Sequence, residues 1–431
     1  MKSRAKDISV RLDLLRIVVS LLVLISPEVD FGFKLSSVQP PSVSAPWGFG
    51  WVHEYIGPQA LLGNISLILV YGGAALGLLG IFARVGLAAV SIGLFYLIGW
   101  LQMRGATVHC HHLLWFSVAL ACSPCSDTLK LGRRPIIYCG DRYRGALTVI
   151  YAIIAMIFFF PGWYKMTLGG WAWFSGETLY NTMLWKSAQY WDQPIELSFA
   201  ESSAYAPLSW VAVLFEVSAP LVLLGFRQTA LFLILALGFH VGTSLMFNID
   251  FTNLWPCYVV LVPWERWVSV IDQSPRHVTT HQRTSKVIKH TAPKYVAISL
   301  CIGVALAGVS REIKGWPFAC YPTFHQEISH RMPLMSVVVR DVRGKARRIH
   351  HQRYMRPTNS SWSTNWRLAG LYGKANHDEL RRFAERVIKP LLSDTDERAL
   401  FFLSWIDLKT EEVRDRRLLF EWPLSHPLKS Q

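Results

Sequence analysis

Four ionisable side chains lie inside long apolar runs of the sequence, where burying a charge is costly. They are Lys165 in FFFPGWYKMTLGGWAWFSG, His111 in VHCHHLLW, Glu216 in VLFEVSAP and His240 in GFHVGTSLMF. An amine, two imidazoles and a carboxylate are groups that proteins use to move protons. These residues are therefore the candidates for a proton-transfer site.

Each candidate also has an ordinary structural interpretation. A lysine at the end of a membrane span commonly extends to the membrane surface, and a glutamate between helices can be a structural hydrogen-bond acceptor. A lone buried histidine is commonly a core residue that bonds a backbone carbonyl. His109 and His112 lie about one helical turn apart while His111 points elsewhere, and no second ligand cluster follows. No metal site is therefore predicted.

Membrane helices are the elements that must hold these residues. Of the 431 residues, 52% are hydrophobic and only 17% are charged. Helices satisfy their own backbone polar groups, which is what a segment in lipid requires. We predict an all-α polytopic membrane bundle with about nine spans, near 11–26, 57–82, 85–103, 107–123, 145–165, 206–226, 229–247, 253–268 and 294–311.

The connections between these spans alternate in charge. Basic residues precede the first span and recur at Arg84, in 130–144, at Arg227 and in 276–294. This pattern predicts a cytoplasmic N-terminus by the positive-inside rule. It also accounts for the net charge of +15 without nucleic acid, for which the sequence has no recognisable module.

The predicted topology brings three candidates into the outer half of the membrane. Lys165 ends the fifth span, and His111 lies about 6 Å below the outer start of the fourth. His240 lies about 16 Å above the inner start of the seventh span. Glu216 is near the middle of the sixth span, so a carboxylate is expected beneath the other three groups.

Two domains are expected. Residues 1–311 form the membrane domain, and residues 312–431 form a small soluble α+β domain outside the cytoplasm. Within that domain LMSVVVRDV and ALFFLSWIDL have the pattern of strands, and HDELRRFAERVIKPLL that of an amphipathic helix. The tryptophan-rich segment 166–205 is expected to be a membrane-interface layer or a lid.

A series of motifs resembles one known family. HCHHLLWFSVALACSPCSD, the lysine segment quoted above, an intramembrane glutamate and FHVGTSLMFNI occur in the order and spacing of the vitamin K-dependent γ-glutamyl carboxylase superfamily. That superfamily includes the bacterial HTTM (horizontally transferred transmembrane) proteins. The resemblance covers roughly residues 8–265. Tyr164 stands where the animal enzyme has a second lysine, and the C-terminal domain is much smaller than the animal one.

The resemblance implies roles for the candidate residues. Lys165 would be the base that activates a reduced vitamin K or menaquinone-type quinol, and its burial among aromatic side chains would leave some neutral amine. His111 and His240 would orient the quinol or stabilise its oxyanion, with Glu216 and His112 supporting them. The expected activity is that of a carboxylase-like lyase. It couples quinol oxygenation or epoxidation by dioxygen to the addition of carbon dioxide to an unknown acceptor.

The same resemblance implies a location and partners. The chain is expected in the lipid bilayer of a bacterial inner (plasma) membrane, with a peptide or protein acceptor on the extracytoplasmic side. A rival hypothesis remains open, in which a non-catalytic membrane protein binds lipid or quinone and recruits a partner through its outer domain.

Overall fold

The computed structural model describes residues 2–37, 46–103, 110–131, 140–189, 202–247, 249, 251–264, 292–311, 315–319, 331–349, 381, 384–389, 392–407, 410 and 412–423. His109 lies outside these ranges, whereas all five candidate site residues lie within them. Contacts divide the chain into two compact units. The first contains residues 1–176 and 206–327, and the second contains 177–205 and 328–431.

Eleven α-helices occur in the described residues. They are α1 (Lys2–Ile25), α2 (Pro27–Leu35), α3 (Ala60–Leu79), α4 (Ala83–Met103), α5 (His111–Ala121), α6 (Gly140–Tyr164), α7 (Gly170–Phe174), α8 (Glu177–Gln189), α9 (Ala206–Ser218), α10 (Phe226–Phe247) and α11 (Ala292–Val309). Shorter 3₁₀ and π-helical turns adjoin them at Val52–Ile56, Lys165–Gly169, Ser202–Tyr205, Ala219–Leu223, Trp255–Leu261 and Ala384–Ile388.

Five helical segments are long and apolar enough to cross a membrane. They are Ala60–Leu79, Ala83–Met103, Tyr143–Phe174, Ser202–Leu223 and Arg227–Phe247. Large apolar side chains on α10 are exposed, including Ile234 at 68% and Leu245 at 77%. Such a surface is expected of a helix that faces lipid. The membrane-protein assignment is therefore confirmed.

The predicted count of nine spans is not confirmed. His111–Ala121 and Tyr295–Val309 are apolar but shorter than the five segments above. In the region predicted as the eighth span, Trp255–Leu261 is a 3₁₀ helix of seven residues. At about 2.0 Å per residue it covers about 14 Å, roughly half of the hydrocarbon thickness.

Charged residues explain why α1 is not among these five candidate membrane segments. Arg16 is fully buried and donates hydrogen bonds to the backbone oxygens of Cys125 (2.7 Å), Gly77 and Leu129. Asp13, also buried, accepts a hydrogen bond from the backbone N–H of Thr128 at 2.8 Å. These bonds connect α1 to the end of α3, where Arg16 satisfies a carbonyl that the helix end leaves open, and to residues 125–129, which follow α5.

The second unit contains a four-stranded antiparallel sheet of order β2-β1-β3-β4. The strands are β1 (Arg331–Asp341), β2 (Ala346–Ile349), β3 (Asp396–Asp407) and β4 (Glu412–Pro423). Strands β1 and β3 lie where strands were predicted, whereas β2 and β4 were not predicted.

Apolar side chains on the two central strands form a core on one face of this sheet. Val337 pairs with Phe401 and Val339 with Ala399, and all four are fully buried. Ile388, in the π-helical turn Ala384–Ile388, is buried in the same cluster. That turn lies within the predicted amphipathic helix. The unit therefore combines a sheet with helical structure, as an α+β assignment requires.

Candidate functional site

The centre of the candidate site is a buried ion pair between Lys165 and Glu216. Lys165 Nζ lies 2.5 Å from Glu216 Oε1 and 2.7 Å from Oε2, so it donates to both carboxylate oxygens. The two side chains are only 3% and 2% exposed. The pair thus joins the residue that directly follows α6 to a residue of α9, 51 positions later in the sequence, inside the first unit.

The backbone at Lys165 departs from α-helical geometry. Pro161 lies inside α6, where its ring removes one backbone donor and disturbs the helix. Four residues later Lys165 begins the π-helical turn Lys165–Gly169. Single π turns of this kind are frequent at functional sites because they redirect side chains that a regular helix would place elsewhere.

Gly162 allows the helix that carries Glu216 to approach α6. A Cβ atom at position 162 would lie 2.6 Å from Glu216 Cβ and 2.9 Å from the backbone nitrogen of Val217. Real side chains do not tolerate such distances, so only glycine lets the two helices pack this closely. Gly162 and Lys165 lie in the lysine segment FFFPGWYKMTLGGWAWFSG, in the motif F-x-x-G-x-x-K, and the close contact is a physical reason for the glycine of this motif.

Aromatic rings surround the ammonium group. The ring of Trp173, in α7, is 4.9 Å from Lys165 Nζ, and the ring of Phe239 in α10 is 5.9 Å from it. Cation–π attraction of this kind strengthens when water is excluded. Trp173 is 2% exposed, and its Nε1 has no acceptor among the described residues. The indole N–H is therefore a buried donor close to the ion pair.

His240 is paired with a tyrosine. Its Nε2 lies 2.7 Å from Tyr258 Oη, and the two rings stack with centroids 5.6 Å apart and 22° between their planes. Phe158, Phe239 and Phe251 surround the imidazole at centroid distances of 5.9, 5.8 and 5.0 Å. Since Phe239 also faces Lys165, one aromatic cluster connects the histidine with the ion pair.

The described contacts of His111 and His112 involve other residues. The ring of His111 packs against Trp316 at 5.0 Å and Trp115 at 5.9 Å, and its Nε2 is 3.4 Å from the backbone oxygen of Gly315. His112 Nε2 is 2.7 Å from the backbone oxygen of Asn253. The predicted convergence of His111 with Lys165 and His240 therefore stays a prediction.

Sequence reasoning missed four features of the site. Glu216 was expected behind the site but is the direct partner of Lys165. Trp173 was expected at the membrane interface or in a lid, yet it covers the ammonium. Tyr258 and Gly162 were not identified at all. A tyrosine in the apolar run that follows His240 was the available signal for Tyr258, and the motif glycine was the signal for Gly162.

Proton transfer is the chemistry that this arrangement supports. Nζ donates to both carboxylate oxygens of Glu216, and the carboxylate is the group of the pair whose lone pairs can take up a proton. The proton acceptor of the pair is then Glu216, and Lys165 stabilises a negative oxygen. Within the described part of the chain, no group of three or more His, Cys, Asp or Glu side chains is arranged to hold a metal ion.

Comparisons of the chain with protein-family models, with curated proteins and with solved structures gave no match. The resemblance to the carboxylase superfamily stays a prediction.

Proposed function

We propose that this chain is a membrane enzyme that takes a proton from a lipid-soluble hydroquinone of the vitamin K or menaquinone type. The Lys165–Glu216 ion pair, buried within membrane-crossing helices, is the observation that carries the proposal. Ionisable groups inside a membrane domain are expensive, and those that persist commonly act on a substrate or an ion.

The residues around the pair fit such a ligand. A hydroquinone is flat and apolar with a hydroxyl group at each end, so it needs aromatic surfaces and a few polar groups. Phe239 and Trp173 supply aromatic faces beside Lys165 Nζ. Trp173 Nε1 and His240 Nδ1 are buried and have no partner among the described residues. Both can bond ligand oxygens.

In the proposed mechanism Glu216 accepts the hydroxyl proton on its carboxylate. Lys165 Nζ then holds the oxygen that has lost its proton, and the indole N–H of Trp173 is a further donor. The buried setting strengthens these interactions because little water competes for them. When bound with dioxygen, the quinol would supply the strong base that takes a proton from the acceptor carbon, to which carbon dioxide then adds, and the quinol would leave as its epoxide with release of water.

The loop charges support an orientation for this enzyme. Every second connection of the predicted topology is basic, and by the positive-inside rule this supports an N-terminus in the cytoplasm and a C-terminal domain outside it. We propose that the chain lies in a bacterial inner membrane, with the ion pair near the outer side. The acceptor is then a peptide or protein on the extracytoplasmic side, and the quinol reaches the site from the bilayer.

A second candidate function follows from the completeness of the ion pair. Both carboxylate oxygens of Glu216 are satisfied by Lys165, as in a structural clamp between α6 and α9. In that case the chain is a non-catalytic protein that binds lipid or quinone and recruits a partner.

Incubation of membranes with reduced menaquinone and labelled bicarbonate separates these functions. Wild-type membranes are expected to form the epoxide and fix label, whereas Lys165→Met and Glu216→Gln are expected to do neither. Lys34→Met is the matched control, because Lys34 also lies over an aromatic ring, that of Phe31 at 5.6 Å, but is exposed. Epoxide without fixed label indicates a quinol oxygenase. Neither product from wild type supports the clamp.

A further inference from the structure

His240 presents an imidazole nitrogen with no hydrogen-bond partner in the described part of the chain. The residue is 7% exposed, and its Nδ1 is buried while Nε2 is bonded to Tyr258. A buried polar atom without a partner costs free energy, and native proteins leave few of them. An unpartnered nitrogen in an aromatic cluster that also contacts Lys165 indicates a ligand contact.

Tyr258 orients this histidine through the hydrogen bond at Nε2, and the direction of that bond sets the tautomer. A neutral imidazole has one donor and one acceptor nitrogen, and the bond at one determines the role of the other. When the Tyr258 hydroxyl donates to Nε2, Nδ1 carries the proton and becomes a donor. Stacking of the two rings and the contacts with Phe158 and Phe251 hold the imidazole in this position.

The aromatic cluster relates this donor to the ion pair. Phe239 is next to His240 in α10, lies 5.9 Å from Lys165 Nζ, and packs at 5.4 Å against Phe215, the neighbour of Glu216. Lys165 Nζ and the imidazole of His240 therefore both lie beside Phe239, in one aromatic cluster. That arrangement suits a flat ligand with an oxygen at each end.

We propose that Tyr258 is a positioning residue that holds His240 with Nδ1–H directed at the second oxygen of the hydroquinone. This inference rests on the proposed function and deepens it. The first oxygen is bound at Lys165 and Glu216, and the second by the imidazole. Tyr258 acts through the histidine and need not touch the ligand. A donor at Nδ1 can bond both a hydroxyl and a carbonyl oxygen, so it serves the reduced and the oxidised ligand.

Two substitutions at His240 distinguish its nitrogens. The amide of asparagine lies near the position of Nδ1, whereas that of glutamine lies near Nε2, and both variants lose the ring. Binding of a radiolabelled reduced menaquinone with one isoprenoid unit is measured without oxygen, so that no turnover occurs. His240→Gln is expected to weaken binding about tenfold, the effect of one lost hydrogen bond, and His240→Asn to weaken it much less.

Tyr258→Phe completes the test. It is expected to weaken binding by a similar factor in the wild-type background and to have no further effect in the His240→Gln background, because the two residues act as one unit. Tyr151→Phe is the matched control. Its hydroxyl donates to the backbone oxygen of Val260, in the same 3₁₀ helix as Tyr258, at 3.3 Å, and accepts from Arg11 at 3.0 Å. This control is expected to bind as wild type does.

Each outcome decides the inference. Equal binding by the two His240 variants, or independent effects of His240→Gln and Tyr258→Phe, would overturn it even if wild-type protein binds and oxidises the quinol. A wild-type protein that neither binds nor oxidises the quinol would overturn the proposed function as well. The inference is supported if His240→Gln binds the quinol weakly, His240→Asn binds it almost as wild type does, and Tyr258→Phe has no further effect in the His240→Gln background.

Discussion

Removing one charge from the Lys165–Glu216 pair leaves the other charge buried and unpaired. Two unit charges about 3 Å apart attract by about 5–6 kcal/mol at an effective dielectric constant of about 20. Neither side chain is more than 3% exposed, so water cannot replace the lost partner. Lys165→Met and Glu216→Met are each expected to lower the free energy of unfolding by about 3–5 kcal/mol.

The double variant Lys165→Met/Glu216→Met is expected to be more stable than either single variant. Apolar residues of similar volume can replace a buried ion pair at little net cost, because both desolvation penalties disappear together. We expect its free energy of unfolding to lie within about 2 kcal/mol of wild type. The interaction energy in this double-mutant cycle is then several kcal/mol, far above that of an exposed pair.

Unfolding by SDS titration in mild detergent, followed by tryptophan fluorescence, measures these differences. Oxidation of reduced menaquinone is measured on the same preparations. The exposed Lys34→Met control is expected to change neither stability nor oxidation. A functional pair predicts that the double variant regains stability but stays inactive.

Two results would refute this reasoning. Additive effects of the two substitutions on stability would mean that the side chains do not form a buried pair. A stable double variant with wild-type quinol oxidation would mean that the pair is only a clamp, and the proposed chemistry would be wrong.

Three further predictions concern single positions. Gly162→Ala is expected to push α6 and α9 apart, to lower the free energy of unfolding by about 1–3 kcal/mol and to abolish quinol oxidation. Gly145→Ala in the same helix is the control and is expected to be tolerated in the same assays, because a Cβ there meets nothing within 4 Å. Trp173→Leu is expected to weaken quinol binding by about tenfold, because it removes the cation–π contact and the indole donor; equal binding by Trp173→Leu and wild type would contradict this. Burial raises the pKa of Asp396, but hydrogen bonds from Arg347 and Ser393 lower it by more than burial raises it, so the pKa lies below its ordinary value. The ionised Asp396 therefore stabilises the folded state above the unfolded pKa of about 3.9, and this stabilisation is lost as pH falls through the folded pKa. The difference in Tm between wild type and Asp396→Asn is expected to shrink as pH is lowered from 6 to 3.

Ionisable residues in apolar runs identified the candidate residues from sequence, but they did not reveal the contacts between them. Lys165 and Glu216 stand out because lipid-facing charge is costly, which is a property of each position alone. Which faces of α6 and α9 meet depends on a close approach at Gly162 that hydropathy does not encode. His240 was identified because an imidazole in an apolar run is ionisable. Tyr258 was not identified because burying a tyrosine in an apolar run is not unusually costly.

Fold prediction succeeded and failed for similar reasons. Five membrane segments are long and uniformly apolar, so length and composition identify them. The 3₁₀ helix Trp255–Leu261 is equally apolar, but Pro256 near its start and its short length give it another geometry. In the second unit, β1 and β3 are rich in Val, Phe and Leu, whereas the short β2 and the charged β4 lack a clear apolar alternation.

The ion pair changes how many buried charges the proposed proton transfer has to create. A neutral lysine that deprotonates a ligand creates two new charges in a dry environment, which is costly because neither is solvated. In the structure, Lys165 Nζ already faces the carboxylate of Glu216. In the proposed mechanism, proton transfer to Glu216 exchanges one negative partner of Lys165 for another, so the number of buried charges stays the same. Preorganised charge of this kind lowers the barrier because little has to reorganise during the step. By this reasoning Glu216 is as necessary as Lys165, and Glu216→Gln is expected to reduce quinol oxidation as much as Lys165→Met does.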